Sequence, residues 1–426
     1  MPTQPHSPPS APVALQAACL LALVGCAAAC SQVILGGEGM AYPTEAMSAR
    51  TFDFRTQAQL SLEIVAVPKD FQLTGAPSTP EVQDFPLKTK YGIVCQVANT
   101  QTIREALAEY VDDKRVMKRY GGLCYDGINE AGLSAAYLWD TSNRGYSDVE
   151  ATAPPMLSTP DPPAGLESIS YFDYPMRVLA ECDTIGCARA LTAMLAVVNR
   201  PMLVNVSQYI VGADYVPLHA SFCDKTAKCI SVEWGPGGAA VVADLPHGVF
   251  TNAPPLPRQE ALLAEFDQAS LDTYTPAFTA LDWPGGLGTT NLTLINSTQV
   301  DSTTRYIRAV RLRRLFGSSP YLDPEGDLSP ARFGSNYGAF AQINALIDHQ
   351  KIAGAYPGGY PSYWQGELTV VTSVRDHVNA DYYLRVASNM NNHCFNVKDN
   401  TRGGRIRLRT LAEAMPQKKY KIKSKI

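Results

Sequence analysis

Asp126-Gly-Ile-Asn-Glu-Ala-Gly-Leu-Ser-Ala-Ala-Tyr-Leu-Trp139 is the stretch whose reading decides the fold. Its first half, through Gly132, is a cluster of turn residues in which the glycine pair sets a tight reversal. Its second half, from Leu133, is free of breakers and predicts a strand that carries Trp139 away from the turn. Upstream, residues 60–67 and 92–97 are β-rich runs, and residues 102–120 have the spacing and charge of an exposed helix. Downstream, a Pro-rich loop over 153–165 precedes a helical stretch over 171–198, broken near Gly186. A second strand series follows over 203–212, 219–222, 229–234, 239–244 and 248–251. Residues 306–316 and 339–349 have helical spacing, and 367–373 and 381–386 are late strands. Helices between two strand series predict an α+β chain with two stacked sheets in one domain.

The chain has 426 residues, a formal net charge of −4 and 18% charged residues. That balance points to neither nucleic acid nor an anionic membrane as a partner. The basic tail over 417–426 reads as a solvated terminus rather than a binding patch. The first 29 residues hold no Asp, Glu, Lys or Arg. Residues 13–29 are apolar and end in small residues, as a secretory leader does. No later stretch is long and apolar enough to span a bilayer. Two cleavage schemes compete. Ala27-Ala28-Ala29 before Cys30 fits ordinary signal cleavage, leaving residues 30–426 as one mature domain. Leu23-Val24-Gly25-Cys26 looks like a lipobox, which would anchor a lipoprotein at Cys26. Seven cysteines lie beyond Cys30, and an oxidising compartment would allow disulfides. Cys223 and Cys229 flank a predicted hairpin turn, and Cys182 and Cys187 can close a small loop. Seven is odd, so at least one thiol stays free.

Cleavage after Ala29 gives Cys30 a free α-amine beside its thiol. Such an amine has a pKa near ~8, so it can act as a general base at neutral pH without a histidine. The bland alternative is a terminal residue or a disulfide partner. Arg50-Thr-Phe-Asp53 sets an arginine and a carboxylate three apart. The arginine would favour thiolate and the carboxylate would orient the amine, although a surface ion pair is the ordinary meaning of such a pattern. Trp139 in a strand is more often core than functional. Asn252, in Gly248-Val-Phe-Thr-Asn252, ends a strand where an amide can donate to a developing oxyanion; a plain turn asparagine is the simpler reading. Arg305, in Ser302-Thr-Thr-Arg305, opens a helix where the dipole disfavours cations, which hints at a fixed partner, although a surface arginine is the ordinary reading.

Taken in this order, the five elements resemble the choloylglycine hydrolase family, which includes bile salt hydrolases and penicillin V acylases. The resemblance runs from Cys30 to about Val397. It implies a four-layer αββα sandwich of the N-terminal nucleophile hydrolase type. It implies that Cys30 attacks an amide carbonyl while its own amine shuttles the proton. Arg50 and Asp53 then position and activate that terminus, Asn252 supplies the side-chain donor of the oxyanion hole, and Arg305 is the active-site arginine of the helix. Trp139 is similar to the penicillin V acylase-like branch of Gram-negative bacteria, where the backbone N–H at this position completes the oxyanion hole. Phe54 departs from the tryptophan often found after the aspartate, which bears on the acyl pocket. Homotetramers are common in the family. The resemblance also favours cleavage after Ala29, because lipidation at Cys26 would leave the amine of Cys30 in a peptide bond.

No Cys-x-x-Cys pair has a partner at zinc spacing and no His-x-x-x-His occurs, so neither a metal nor a cofactor is expected. A Cys–His peptidase is the rival enzyme class, but His219, His247, His349, His377 and His393 sit in no recognisable motif. No phosphate-binding glycine loop is evident. Asn205, Asn291 and Asn296 open glycosylation sequons, which matter only in a eukaryotic source. The expected activity is hydrolysis of a linear amide between an apolar or aromatic acyl group and a small polar amine, in the periplasm or outside the cell. Penicillin V and N-acyl homoserine lactones fit best. Bile salts, N-acylethanolamines and ceramide-like lipids are the alternatives, and a silent surface lipoprotein is the non-enzymatic one.

Overall fold

The computed structural model describes residues 30–37, 40, 42–55, 62–74, 86–98, 124–139, 164–170, 173–198, 218–234, 239–252, 254–272, 302–318, 335–348, 350, 367–386, 389–402 and 407–410. The leader and its two cleavage schemes, the helix over 102–120, the strand over 203–212, most of the Pro-rich loop, His349, the sequons and the basic tail lie outside the described residues.

The N-terminal half supplies β1 (Ser31–Gly36), β2 (Ala46–Arg55), β3 (Leu62–Val67), β4 (Gln72–Thr74), β5 (Pro86–Lys88), β6 (Ile93–Ala98), β7 (Cys124–Asn129), β8 (Ser134–Trp139) and β9 (Glu167–Ser170). Helices α1 (Tyr174–Glu181) and α2 (Ile185–Thr192) follow. Then come β10 (Leu195–Val198), β11 (Leu218–Cys223), β12 (Cys229–Trp234), β13 (Ala240–Asp244) and β14 (Val249–Thr251). Helices α3 (Leu256–Asp272), α4 (Ser302–Ser318) and α5 (Ser335–Asp348) precede β15 (Glu367–Asp376), β16 (Asp381–Val386) and β17 (Asn389–Asn396). The short helix α6 (Val397–Thr401) and β18 (Arg407–Thr410) end the described chain.

Two antiparallel sheets dominate. The first has the order β14-β1-β2-β15-β16-β17, the second β13-β12-β11-β8-β7-β6-β3-β18. Side chains alternate across each strand, so each sheet can bury both faces. On β1, Val33 and Leu35 pack with Leu263 and Phe266 of α3, Tyr306 and Val310 of α4 and Ile343 of α5. Ile34 of the same strand enters the layer between the sheets, with Ala136 and Leu138 of β8. On β8, Ala135 and Tyr137 face the other way, onto Tyr174 and Leu179 of α1 and Ala188 of α2. The layers therefore run helices, sheet, sheet, helices: the expected αββα sandwich.

Local sequence explains several boundaries. In the hairpin between β11 and β12, Cys223 pairs with Cys229. The Asp224 carboxylate accepts from the Thr226 backbone N–H at 2.8 Å and its hydroxyl at 2.6 Å, closing an Asx-type turn. A disulfide joins the two cysteines, and another joins Cys182 to Cys187, as the spacing allowed. A third, Cys95–Cys124, ties β6 to β7. Cys394 is the exposed free thiol among the described residues.

Two expectations need correction. Asp126 and Gly127 do not belong to the turn, because they lie inside β7. A Cβ at Gly127 would come 2.8 Å from the Val94 carbonyl oxygen, so this glycine serves close strand approach. The reversal itself belongs to Gly132, with φ at 89°. Nor is the stretch over 171–198 helical throughout. It breaks before Gly186, where Thr184 caps α2 by accepting from the Cys187 N–H at 3.3 Å. Its end, Leu-Ala-Val-Val, is β10, paired in parallel with β9.

Candidate active site

Strand β1 lies between β14 and β2 in the first sheet. Ser31 pairs with Thr251 on one side and Thr51 on the other, so one step further Cys30 stands between Asn252 and Phe52. The Cys30 side chain is 1% exposed and belongs to the layer between the sheets, with Phe52 and Phe250.

Arg50 sits opposite Gln32 on β2 and is equally buried. Its guanidinium donates to the Tyr125 carbonyl at 3.1 Å and to the Tyr137 carbonyl. Nη2 also lies 3.5 Å from Cys30 Sγ. Two carbonyls on neighbouring strands of the opposite sheet thus fix a cation beside the thiol. A fixed cation there favours thiolate. Burial pushes the Tyr125 phenol up to about 12 against the opposing pull of Arg50, so this neighbour stays neutral.

Asn252 follows β14 and is 6% exposed. Gln259 of α3 holds its backbone, donating to the carbonyls of Asn252 at 2.8 Å and Pro254 at 2.7 Å. Arg305 is in the first turn of α4, and its Nη1 donates to Ser31 Oγ at 2.6 Å. Ser31 points to the helical side of the sheet, away from the thiol. Arg305 thus reaches the residue after Cys30, and Ser31 is a partner of the kind suspected from its helix-start position. The Ser31 N–H in turn donates to Thr51 Oγ1 at 3.0 Å.

Asp53 and Phe54 continue β2, opposite Thr369 and Leu368. The β2–β15 register shifts between Thr369 and Val371, just where Phe52 gives way to Asp53. Trp139 ends β8 opposite Leu218, two residues beyond the carbonyl that holds Arg50. Cys30, Arg50 and Asn252 are thus brought together and Arg305 lies behind them. Asp53, Phe54 and Trp139 are located by their backbones.

A buried polar network between the sheets escaped the sequence reading. Asp126 lies 3.8 Å from Arg50 Nη1 and 2.7 Å from Arg375 Nε. Neither Asp126 Oδ1 nor Arg375 Nε makes a directed hydrogen bond, so that shorter contact is an ion pair. Ser373 donates its hydroxyl to Asp126. Arg375 Nη1 donates to Ser48 Oγ at 3.1 Å. His377 Nδ1 is 2.7 Å from the Gly132 carbonyl and Nε2 is 2.8 Å from Ser48 Oγ. A carbonyl only accepts, so Nδ1 carries the proton and Nε2 accepts from Ser48. Burial and Arg375 hold the His377 imidazole down, to about 4, against the opposing Gly132 hydrogen bond. The available signal was Asp126 in the quoted stretch and polar residues at alternate positions 373, 375 and 377. No group of three or more His, Cys, Asp or Glu able to hold a metal occurs among the described residues.

No family model and no curated protein matches the sequence. Solved structures do match. Two variants of the conjugated bile acid hydrolase from Clostridium perfringens superpose with TM-scores of 0.60. One is 16% identical, covering 89% of this chain and 96% of that one; the other is 17% identical, covering 92% and 99%. Penicillin V acylase from Agrobacterium tumefaciens gives a TM-score of 0.55 at 18% identity, covering 91% of this chain and 93% of the other. The fold is the one these proteins share, and they are the two enzyme types that the sequence resemblance named.

Proposed function

We propose that the chain is an exported amidase in which Cys30, freed as the N-terminal residue by a cut after Ala29, is the nucleophile. The observation that carries this reading is the Arg50 guanidinium, buried and 3.5 Å from Cys30 Sγ. The Cys30 thiolate attacks the amide carbonyl carbon while the α-ammonium donates a proton to the leaving nitrogen. The carbon–nitrogen bond breaks and a thioester to Cys30 forms. Water, deprotonated by the α-amine, then cleaves the thioester and restores the thiol. Asn252 and the backbone N–H of Trp139 are assigned to the oxyanion, and Asp53 to orienting the α-amine. Arg305 is a positioning residue that acts through Ser31. Phe54 is assigned to the acyl pocket.

Three disulfides support export, since such bonds persist in oxidising compartments. The substrate class is an apolar or aromatic acyl group on a small polar amine, penicillin V or an N-acyl homoserine lactone. The likeness to the conjugated bile acid hydrolase makes bile-salt amides the second class to assay.

The test is N-terminal sequencing of exported protein together with assays of Cys30→Ala and Cys30→Ser on phenoxyacetyl, long-chain acyl and bile-salt amides. A mature terminus at Cys30 and loss of turnover in Cys30→Ala are expected. Turnover that survives Cys30→Ala rules out the mechanism. A lipid-bearing terminus at Cys26 with no activity rules out the enzyme.

A further inference from the structure

We infer that Asp126 and Arg375 are positioning residues that set the charge Arg50 presents to Cys30, an inference that rests on the Cys30 mechanism proposed above. Arg50, Asp126 and Arg375 are each at most 2% exposed. One carboxylate is shared by two guanidiniums, 3.8 Å and 2.7 Å away. The cluster therefore holds one positive charge more than it neutralises. Among the described residues no second carboxylate pairs with either arginine, such a buried excess charge is unfavourable, and the thiol within reach of Arg50 is Cys30, at 3.5 Å. A thiolate there closes the balance.

The surroundings leave that balance intact. Tyr125 and Tyr382 are held neutral by burial, Tyr382 well above the usual phenol range. His377 is neutral above about 4. His219 on β11, its ring tilted against Phe250 with centroids 4.2 Å apart, and Arg305 behind Ser31 are common to every variant below and cancel in the comparison. Asp53 lies on β2 and is likewise unchanged.

The charge arithmetic gives two shifts of opposite sign. In Arg375→Gln, Asp126 is left wholly to Arg50, the local sum falls to zero, and the thiol is harder to ionise. In Asp126→Asn, both arginines lose their counter-ion, the sum rises to +2, and the thiol ionises more readily. Cys30 Sγ lies 3.5 Å from Arg50, which lies 3.8 Å from Asp126, with Arg375 beyond it, so at an effective dielectric near 20 each change is worth about one pH unit. A purely structural role for the pair would weaken folding in both variants without moving the thiol in opposite directions.

The experiment is a pH titration of the Cys30 thiolate by ultraviolet absorbance on mature protein, as a difference from Cys30→Ala. Variants are Arg375→Gln, Arg375→Lys, Asp126→Asn and Ser48→Ala. The expected result is an upward shift in Arg375→Gln, its rescue in Arg375→Lys, a downward shift in Asp126→Asn, and none in Ser48→Ala, which removes only an uncharged partner. If Asp126→Asn does not fold, the Arg375 pair decides by itself. Unmoved titrations, or shifts of the same sign, overturn the inference. The readout needs no substrate: unmoved titrations in a protein that hydrolyses amides remove this inference alone, whereas loss of the proposed function leaves the titration result standing.

Discussion

Arg50 is held from three directions, by the Tyr125 and Tyr137 carbonyls and by Asp126, with one edge left for Cys30 Sγ. Only a guanidinium has the planar fork to reach all of them at once. Arg50→Lys keeps the charge but loses the fork, and it is expected to cut kcat/KM by on the order of 10²-fold, with KM changing little. Steady-state kinetics on a phenoxyacetyl amide checks this. His377 makes a second residue-level prediction. Its folded pKa, about 4, lies below that of a free imidazole. Between roughly pH 6.5 and 4 the unfolded chain therefore takes up a proton that the folded chain refuses, and stability falls as pH falls through that window. The full effect is roughly 3 kcal/mol. Urea denaturation at pH 7 and pH 4 should show this part of the pH dependence in the native protein and lose it in His377→Gln.

The elements matter because they bring distant residues to one point. The β7–β8 turn meets the β15–β16 turn where Gly132, at φ 89°, passes under the His377 carbonyl. A Cβ there would sit 2.0 Å from that oxygen. Gly132→Ala should cost at least ~1–3 kcal/mol from the backbone conformation alone, with the clash adding to it, and chemical denaturation measures it. The same view explains which elements were legible. Strands β12 and β16 start and stop where the sequence placed them, because turn residues bound them on both sides. Strand β1 is buried along all six residues, so it has no alternation to betray it. Strand β7 was misread because Gly127 signals close packing in the same letter that signals a turn. The order Cys30, Arg50, Asn252 and Arg305 was legible as a motif series. The Asp126–Arg375 pair was not, since its members are far apart in sequence and meet only when the two sheets stack.

At the scale of the whole molecule, the sandwich puts the thiol, its arginine and the polar network into the layer between the sheets, and three disulfides brace it. Cys95 and Cys124 are separated by 29 positions, Cys182 and Cys187 by 5. Loop closure then makes the first worth about 3–4 kcal/mol and the second about 2 kcal/mol, so removing Cys95–Cys124 should cost more, as guanidinium denaturation of the two double serine variants will show. The proposed function makes Cys30 an N-terminal nucleophile, and trapping the acyl-enzyme tests that most directly. Mature protein is mixed with a slowly hydrolysed aromatic acyl amide, quenched in acid, digested and mapped by mass spectrometry. The expected result is a single acyl group in thioester linkage on a peptide that begins at Cys30. An acyl group on any other residue, or a Cys30 peptide that extends upstream and stays unmodified while substrate is consumed, would contradict it.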